Sequence, residues 1–265
     1  MTVLVGNTVR HLRTQRLSRA RDGKFLIVPL DHSFSDGPLC TAGEFSSLVS
    51  TICGAGADAI VVHKGRLRHI PLGDCIDCSV IIHLSGSTSW GPDPDRKTLV
   101  GGVEEAAAAG ADAVSVHINM GAESEGEQLA DVGAVSRECE RQGVPLLTMM
   151  YARGPNVDDP ADPQRIRHAA TVATDLGADL IKCNLPVPTE ALAQVTSEAP
   201  VPVVVAGGRR AAHENDDLAE FASTVMKYGA AGLAVGRRVF EHCDPGGVVA
   251  DLRRTIHSAS EGEGQ

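Results

Sequence analysis

Aromatic residues make up only 3% of this chain, and tryptophan occurs once. Cores poor in large rings are built from small aliphatics, which suits helices packed tightly on a sheet. Basic residues are also short, 24 Lys and Arg against 34 Asp and Glu. The formal charge of −10 and a pI near 5.4 exclude the electropositive footprint that nucleic acid requires. No apolar stretch approaches the length of a membrane span. The seven cysteines have no disulfide rhythm, and an odd count without a secretory leader points to reduced thiols in a cytosol. Cys75-Ile76-Asp77-Cys78 has metal-ligand spacing, but no second pair follows, so no structural zinc is expected.

With 265 residues the chain can form one α/β barrel or two small domains. No linker or low-complexity segment divides it, so a single domain over 1–265 is expected, with a loose tail at 258–265. Arginines 10, 13, 16, 19 and 21 precede the first acid, Asp22, as in an organellar targeting peptide. Val9, Leu12 and Leu17 equally seat a short helix against a barrel base, which is the reading adopted.

One phrase recurs. Gly56-Ala57-Asp58, Gly110-Ala111-Asp112 and Gly177-Ala178-Asp179 each open a short apolar run, as does Gly229-Ala230-Ala231-Gly232. Glycine suits a helix C-cap, and the apolar run reads as a strand buried on both faces. Further runs at 25–30, 80–84, 145–150 and 203–206 bring the strands to eight. Helices are predicted over 42–55, 98–109, 126–142, 163–176, 189–198, 216–227 and 248–258. Alternation of this kind gives a parallel sheet, and eight such units fit a TIM (β/α)8 barrel. The weak joint is 66–77, with no clear helix, which leaves a doubly wound sheet as the alternative.

Lys182 ends one of these runs, in Leu180-Ile181-Lys182-Cys183-Asn184. Lysine is seldom buried without a partner, and a neutral amine attacks a ketone to give a Schiff base, an electron sink for carbon–carbon chemistry. The competing reading is an ammonium that reaches water along its stem. Other polar groups collect at the corresponding strand ends, where barrel enzymes carry their chemistry. Asp31 and Tyr151 are the acid–base candidates. Gly207, Gly208, Gly236 and Arg237 follow the last two strands, where barrels bind phosphate. Lys64 is a second candidate amine, though His63-Lys64-Gly65 reads more naturally as substrate contacts. His63, His83 and His117 are the ligand set for a rival, metal-dependent aldolase. No metal or cofactor is otherwise expected.

These residues resemble a known family. Asp31-His32, His63-Lys64-Gly65, His83-Leu84-Ser85, Tyr151-Ala152-Arg153-Gly154, Lys182-Cys183-Asn184, Ala206-Gly207-Gly208 and Val235-Gly236-Arg237 match the pattern of archaeal-type class I aldolases. Pro92-Asp93-Pro94-Asp95-Arg96-Lys97 and the run to His117 are similar to one branch, the 2-amino-3,7-dideoxy-D-threo-hept-6-ulosonate synthases. That branch includes relatives that make 2-amino-4,5-dihydroxy-6-oxo-7-(phosphonooxy)heptanoate. The resemblance implies Lys182 as nucleophile, Asp31 and Tyr151 as acid–base partners, and a phosphate cradle at Gly207, Gly208, Gly236 and Arg237. It implies a phosphorylated ketone as donor, either dihydroxyacetone phosphate or 6-deoxy-5-ketofructose 1-phosphate. L-aspartate 4-semialdehyde is the implied acceptor; Arg153 and His117 are expected to hold its carboxylate or hydroxyl groups, and His32 and Lys64 are further expected substrate contacts. Pentamers or decamers in the cytoplasm are implied as well. Arg209-Arg210 and Leu185-Pro186 depart from the pattern beside the donor site. The rivals are fructose-bisphosphate aldolase and a non-catalytic phosphosugar-binding barrel.

Overall fold

Eight parallel strands close into a barrel in the computed structural model, which describes residues 8–70, 72–208 and 217–257. They are β1 (Phe25–Pro29), β2 (Ala59–Val62), β3 (Ser79–His83) and β4 (Ala113–Met120), then β5 (Leu146–Ala152), β6 (Leu180–Cys183), β7 (Val203–Ala206) and β8 (Gly232–Ala234). Each strand pairs with its neighbour in sequence, and β1 pairs with both β2 and β8. That closure excludes the doubly wound alternative, and the chain is a TIM barrel. Packed around it are α1 (Thr8–Arg16), α2 (Ala42–Ala55), α3 (Val103–Ala108), α4 (Glu125–Gln142), α5 (Pro163–Asp175), α6 (Leu192–Glu198), α7 (Leu218–Lys227) and α8 (Pro245–His257).

Side chains alternate along the strands as a two-residue period demands. Ile27, Val61, Ile81, Leu147 and Leu180 fill the interior, while Leu26, Val28, Ile60 and Ile82 face the helices. Each such burial contributes about 1.5–3 kcal/mol. The helix expected over 98–109 is shorter. Thr98–Leu99 instead pairs antiparallel with Ser85–Gly86, and α3 starts only after Gly101-Gly102. Among the described residues between β2 and β3 there is no long helix, only one α-helical turn at Lys64–Leu67 and a 3-10 turn at Leu72–Cys75. Residues 258–265 and 209–216, with Arg209 and Arg210, lie outside the described residues.

The recurrent aspartate has a structural cause. Asp58, Asp112 and Asp179 each accept a hydrogen bond from the backbone of the preceding strand, at Leu26, Val80 and Leu146, over 2.6, 2.8 and 2.7 Å. Each carboxylate thus joins the start of one strand to the next. Losing one would strand a poorly hydrated amide, at about 1–3 kcal/mol. The fourth copy has Ala231 in that place and keeps only the main-chain bond, to Val203.

The base of the barrel is closed by α1, with one correction to the expected face. Val9 and Leu12 are about half exposed, whereas Arg10, Thr14 and Leu17 are buried. Arg10 is turned inward by charge, with its guanidinium on Asp179 at 2.6 Å, Glu140 at 3.2 Å and the Gly177 carbonyl. Leu17 enters the interior cluster beside Phe25.

A second polar clamp fastens α8 to this base. His257 bonds Asp22 at 2.9 Å and the fully buried Asp58 at 3.0 Å. Burial pushes its pKa down, but the two carboxylates more than offset this and leave it raised. A raised pKa contributes stability that is full below the unfolded value of about 6.5 and is lost as pH rises through the folded value. The thermal midpoint should therefore fall by a few degrees between pH 6 and pH 9, given charge-assisted bonds of about 1.5–3 kcal/mol. In His257→Gln the fall over that window should be absent. An unchanged slope in melts of the variant would assign the effect elsewhere.

Candidate active site

Polar groups at the C-terminal ends of the strands line one cavity of about 680 Å³. The alternation that sends Leu180 into the interior sends Lys182, two residues on, to the layer above it. Lys182 is 7% exposed and lies in register with Met149 of β5. Tyr151 stands one inward layer higher on β5, its ring meeting His117 edge-on at 4.8 Å. Asp31 follows β1 on the turn before the short helix Ser33–Asp36.

Burial pushes the Asp31 carboxyl up. His83, His32, Lys182 and His63 around it pull harder in the other direction and hold it at about 2. Asp31 is thus ionised across the physiological range, 3.9 Å from His83 Nε2 and 3.6 Å from His32 Nδ1. His83 is pushed by burial to about 4, against the pull of Asp31, so it stays neutral. Its Nδ1 meets the Ser115 hydroxyl at 2.8 Å. Burial also depresses His117 strongly. Asn119 donates Nδ2–H to the Asp95 carbonyl at 2.8 Å, which turns its Oδ1 toward His117 Nε2, also at 2.8 Å. The His117 proton therefore sits on Nε2, which leaves Nδ1 an acceptor.

Across the mouth, Gly207 N–H donates to Ala234 O at 3.1 Å and ties the end of β7 to β8. A side chain at Gly207 would collide with Val235, and one at Gly236 with the carbonyl of Pro29. Only glycine lets these segments approach so closely. Gly208 and Arg237 complete this side of the cavity.

All but one of the expected site residues line this cavity. The exception is Lys64, which donates to Glu105 at 2.8 Å. It opens the turn Lys64–Leu67 and points away toward α3, bordering an adjoining apolar recess instead. Nor do His63, His83 and His117 converge: among the described residues no group of three or more His, Cys, Asp or Glu could hold a metal ion. Ser85, Ser87, Asp95 and Lys97 line the cavity but were not singled out as site residues in the sequence. The run Ser85-Gly86-Ser87-Thr88-Ser89, polar just after a strand, was the signal for the two serines.

The family model for DeoC/LacD family aldolases matches residues 25–242. The chain belongs to this family. A 2-amino-4,5-dihydroxy-6-oxo-7-(phosphonooxy)heptanoate synthase of Streptomyces griseus is 48% identical over 250 residues, covering 94% of this chain and 91% of the relative. A 2-amino-3,7-dideoxy-D-threo-hept-6-ulosonate synthase of Halobacterium salinarum is 35% identical over 252 residues, 95% of this chain and 94% of the relative. Among solved structures, an archaeal fructose 1,6-bisphosphate aldolase superposes with a TM-score of 0.83 at 26% identity, covering 94% of this chain and 99% of that one. Another, with a TM-score of 0.83, has its catalytic lysine covalently bound to the carbinolamine intermediate of its substrate; it is 26% identical and covers 93% of this chain and 99% of its own. The chain is a class I aldolase, which sets aside the non-catalytic barrel.

Proposed function

We propose that this aldolase captures a phosphorylated ketone on Lys182 and joins it to L-aspartate 4-semialdehyde. The observation that carries the reading is the buried Lys182 opening into the same cavity as the Asp31 carboxyl. The amine adds to the ketone carbon to give a carbinolamine, which loses water to leave an iminium. With dihydroxyacetone phosphate, loss of a proton from the adjacent carbon gives the enamine. With 6-deoxy-5-ketofructose 1-phosphate, cleavage of a carbon–carbon bond gives it and releases an aldehyde. The enamine carbon then bonds the aldehyde carbon of the acceptor, whose oxygen takes a proton. Water hydrolyses the new iminium and frees Lys182.

An ionised Asp31 suits two tasks, facing the iminium charge and accepting a proton. It cannot donate at neutral pH until it has received one, so the Tyr151 hydroxyl is the proton donor. His117 Nδ1 accepts from a substrate hydroxyl. The donor phosphate rests on Gly207, Gly208, Gly236 and Arg237. Similarity to the synthases at 48% and 35%, against 26% for the fructose-bisphosphate aldolase, supports the semialdehyde over glyceraldehyde 3-phosphate as acceptor. The test is to incubate the protein with aspartate semialdehyde and each donor and identify the product by mass. Exclusive use of glyceraldehyde 3-phosphate would refute the reading.

The phosphate assignment makes its own prediction. Charge-assisted contacts contribute about 1.5–3 kcal/mol, so Arg237→Ala should weaken the phosphorylated donor by roughly tenfold to a hundredfold. Dihydroxyacetone, which lacks the phosphate, should be affected far less. Equal losses on both donors from a folded variant would assign Arg237 a different role.

A further inference from the structure

The loop after β3 has a fixed course. The Asp95 carbonyl accepts from Asn119 Nδ2 at 2.8 Å and from Gln128 Nε2 at 3.0 Å. Both amides are buried, at 0% and 2% exposure, and Gln128 Oε1 in turn takes the Asn119 N–H at 2.9 Å. Asp93 adds a turn by accepting from the N–H groups of Asp95 and Arg96. This pinning brings the Asp95 and Lys97 side chains to the wall of the cavity that holds Lys182.

The charges there form a defined set. Lys97 donates to Ser87 Oγ at 2.6 Å and to Pro94 O at 3.1 Å. An ammonium has three donors, so one N–H is left for a ligand. Arg153 reaches the same wall from the end of β5, with Nε 3.9 Å from Asp95 Oδ1. Burial and the nearby Arg153 both lower the pKa of Lys97, while Asp95 opposes them. Two cations thus stand together with Asp95, and the carboxylates of Asp31 and Asp36 act more weakly on Lys97. In a closed ring of eight strands β3 lies across from β7, so this wall faces the glycine pair and Arg237 over the mouth. A substrate spanning the cavity would meet an anion-binding wall at one end. At the other it would meet a wall complementary to a group bearing both signs of charge.

We propose that Lys97, Asp95 and Arg153 read the α-amino acid end of the acceptor: Lys97 and Arg153 hold its carboxylate, and Asp95 its ammonium. The proposal rests on the reading of the acceptor as an amino-acid aldehyde and adds the residues that select it. Charge pairing in a partly desolvated pocket favours the matched zwitterion, and an acceptor lacking either charge leaves a protein charge unanswered.

Four acceptors separate the terms. Aspartate semialdehyde carries both charges, succinate semialdehyde only the carboxylate, 3-aminopropanal only the ammonium, and propanal neither. With the donor that turns over, kcat/KM is measured for each acceptor on the wild type, Lys97→Met, Lys97→Arg and Asp95→Asn. In Lys97→Met the ratio of aspartate semialdehyde to propanal should fall by about tenfold to a hundredfold, mainly through KM. Lys97→Arg should restore much of that ratio. Asp95→Asn should erase the wild type's preference for aspartate semialdehyde over succinate semialdehyde. Borohydride trapping of donor on Lys182 in every variant establishes that the site is intact, and a Lys97→Met that does not fold leaves the decision to the other two variants. Wild-type turnover of aspartate semialdehyde with variant ratios within twofold would overturn this proposal alone. A wild type that uses none of the carboxylated acceptors would overturn both it and the reading beneath it.

Discussion

Lys182→Met should abolish turnover, lowering kcat by roughly a hundred-thousandfold or more, the scale of loss when a covalent nucleophile is removed. Methionine keeps the length and apolar stem of lysine and meets Met149 in register on β5, so the barrel interior stays filled. Only the amine is lost. Borohydride reduction of the wild type in the presence of donor should add the donor's mass to a peptide containing Lys182. The same peptide in Lys182→Met should carry no added mass. Lys64 is the other amine considered for this role, but its bond to Glu105 and its place outside the cavity argue against it. Donor mass on the Lys64 peptide, together with an active Lys182→Met, would reverse the assignment.

The second large effect belongs to the hydroxyl of Tyr151. Tyr151→Phe keeps the ring and its edge contact with His117, found at 4.8 Å, and deletes one proton donor. General acid–base catalysis contributes about 10²–10⁴-fold, and kcat should fall within that range. Asp31 is no substitute donor, because the groups around it hold its carboxyl at about 2. Dehydration of the carbinolamine needs a proton on the departing oxygen, so the reducible iminium should build up more slowly in Tyr151→Phe. Quenched borohydride trapping over time reads that rate directly, apart from the later carbon–carbon step. A variant that keeps kcat within tenfold of the wild type and traps donor at the wild-type rate would move the proton to another group.

Both residues were legible in the sequence, and the reason is local. Strand alternation has a period of two, so the run ending at Lys182 fixed the side toward which its side chain points. The run before Tyr151 did the same. The glycine-led phrase marked half of the eight strands, because each strand start repeats one hydrogen-bonding problem. Asp58, Asp112 and Asp179 solve it identically, each by capturing an amide of the preceding strand.

Tertiary contacts decided what local pattern could not. Lys97 enters the cavity only because Asn119 and Gln128, 24 and 33 residues away from Asp95, seize one carbonyl of its loop. The local turn at Asp93 shapes the loop but does not by itself direct it to the cavity. Thr98 looked like the start of a helix and became part of an antiparallel pair with Ser85–Gly86. Lys64 has the composition of a site residue, yet Glu105 on α3 draws it outward. At the base, the apolar pattern nominated Val9 and Leu12, whereas Asp179 and Glu140 turned the Arg10 face inward. Periodicity and composition thus determined the barrel, its strand ends and the place of Lys182 at one of them. Loop course and charge pairing depend on partners distant in sequence, so only the folded chain could show which cations line the cavity.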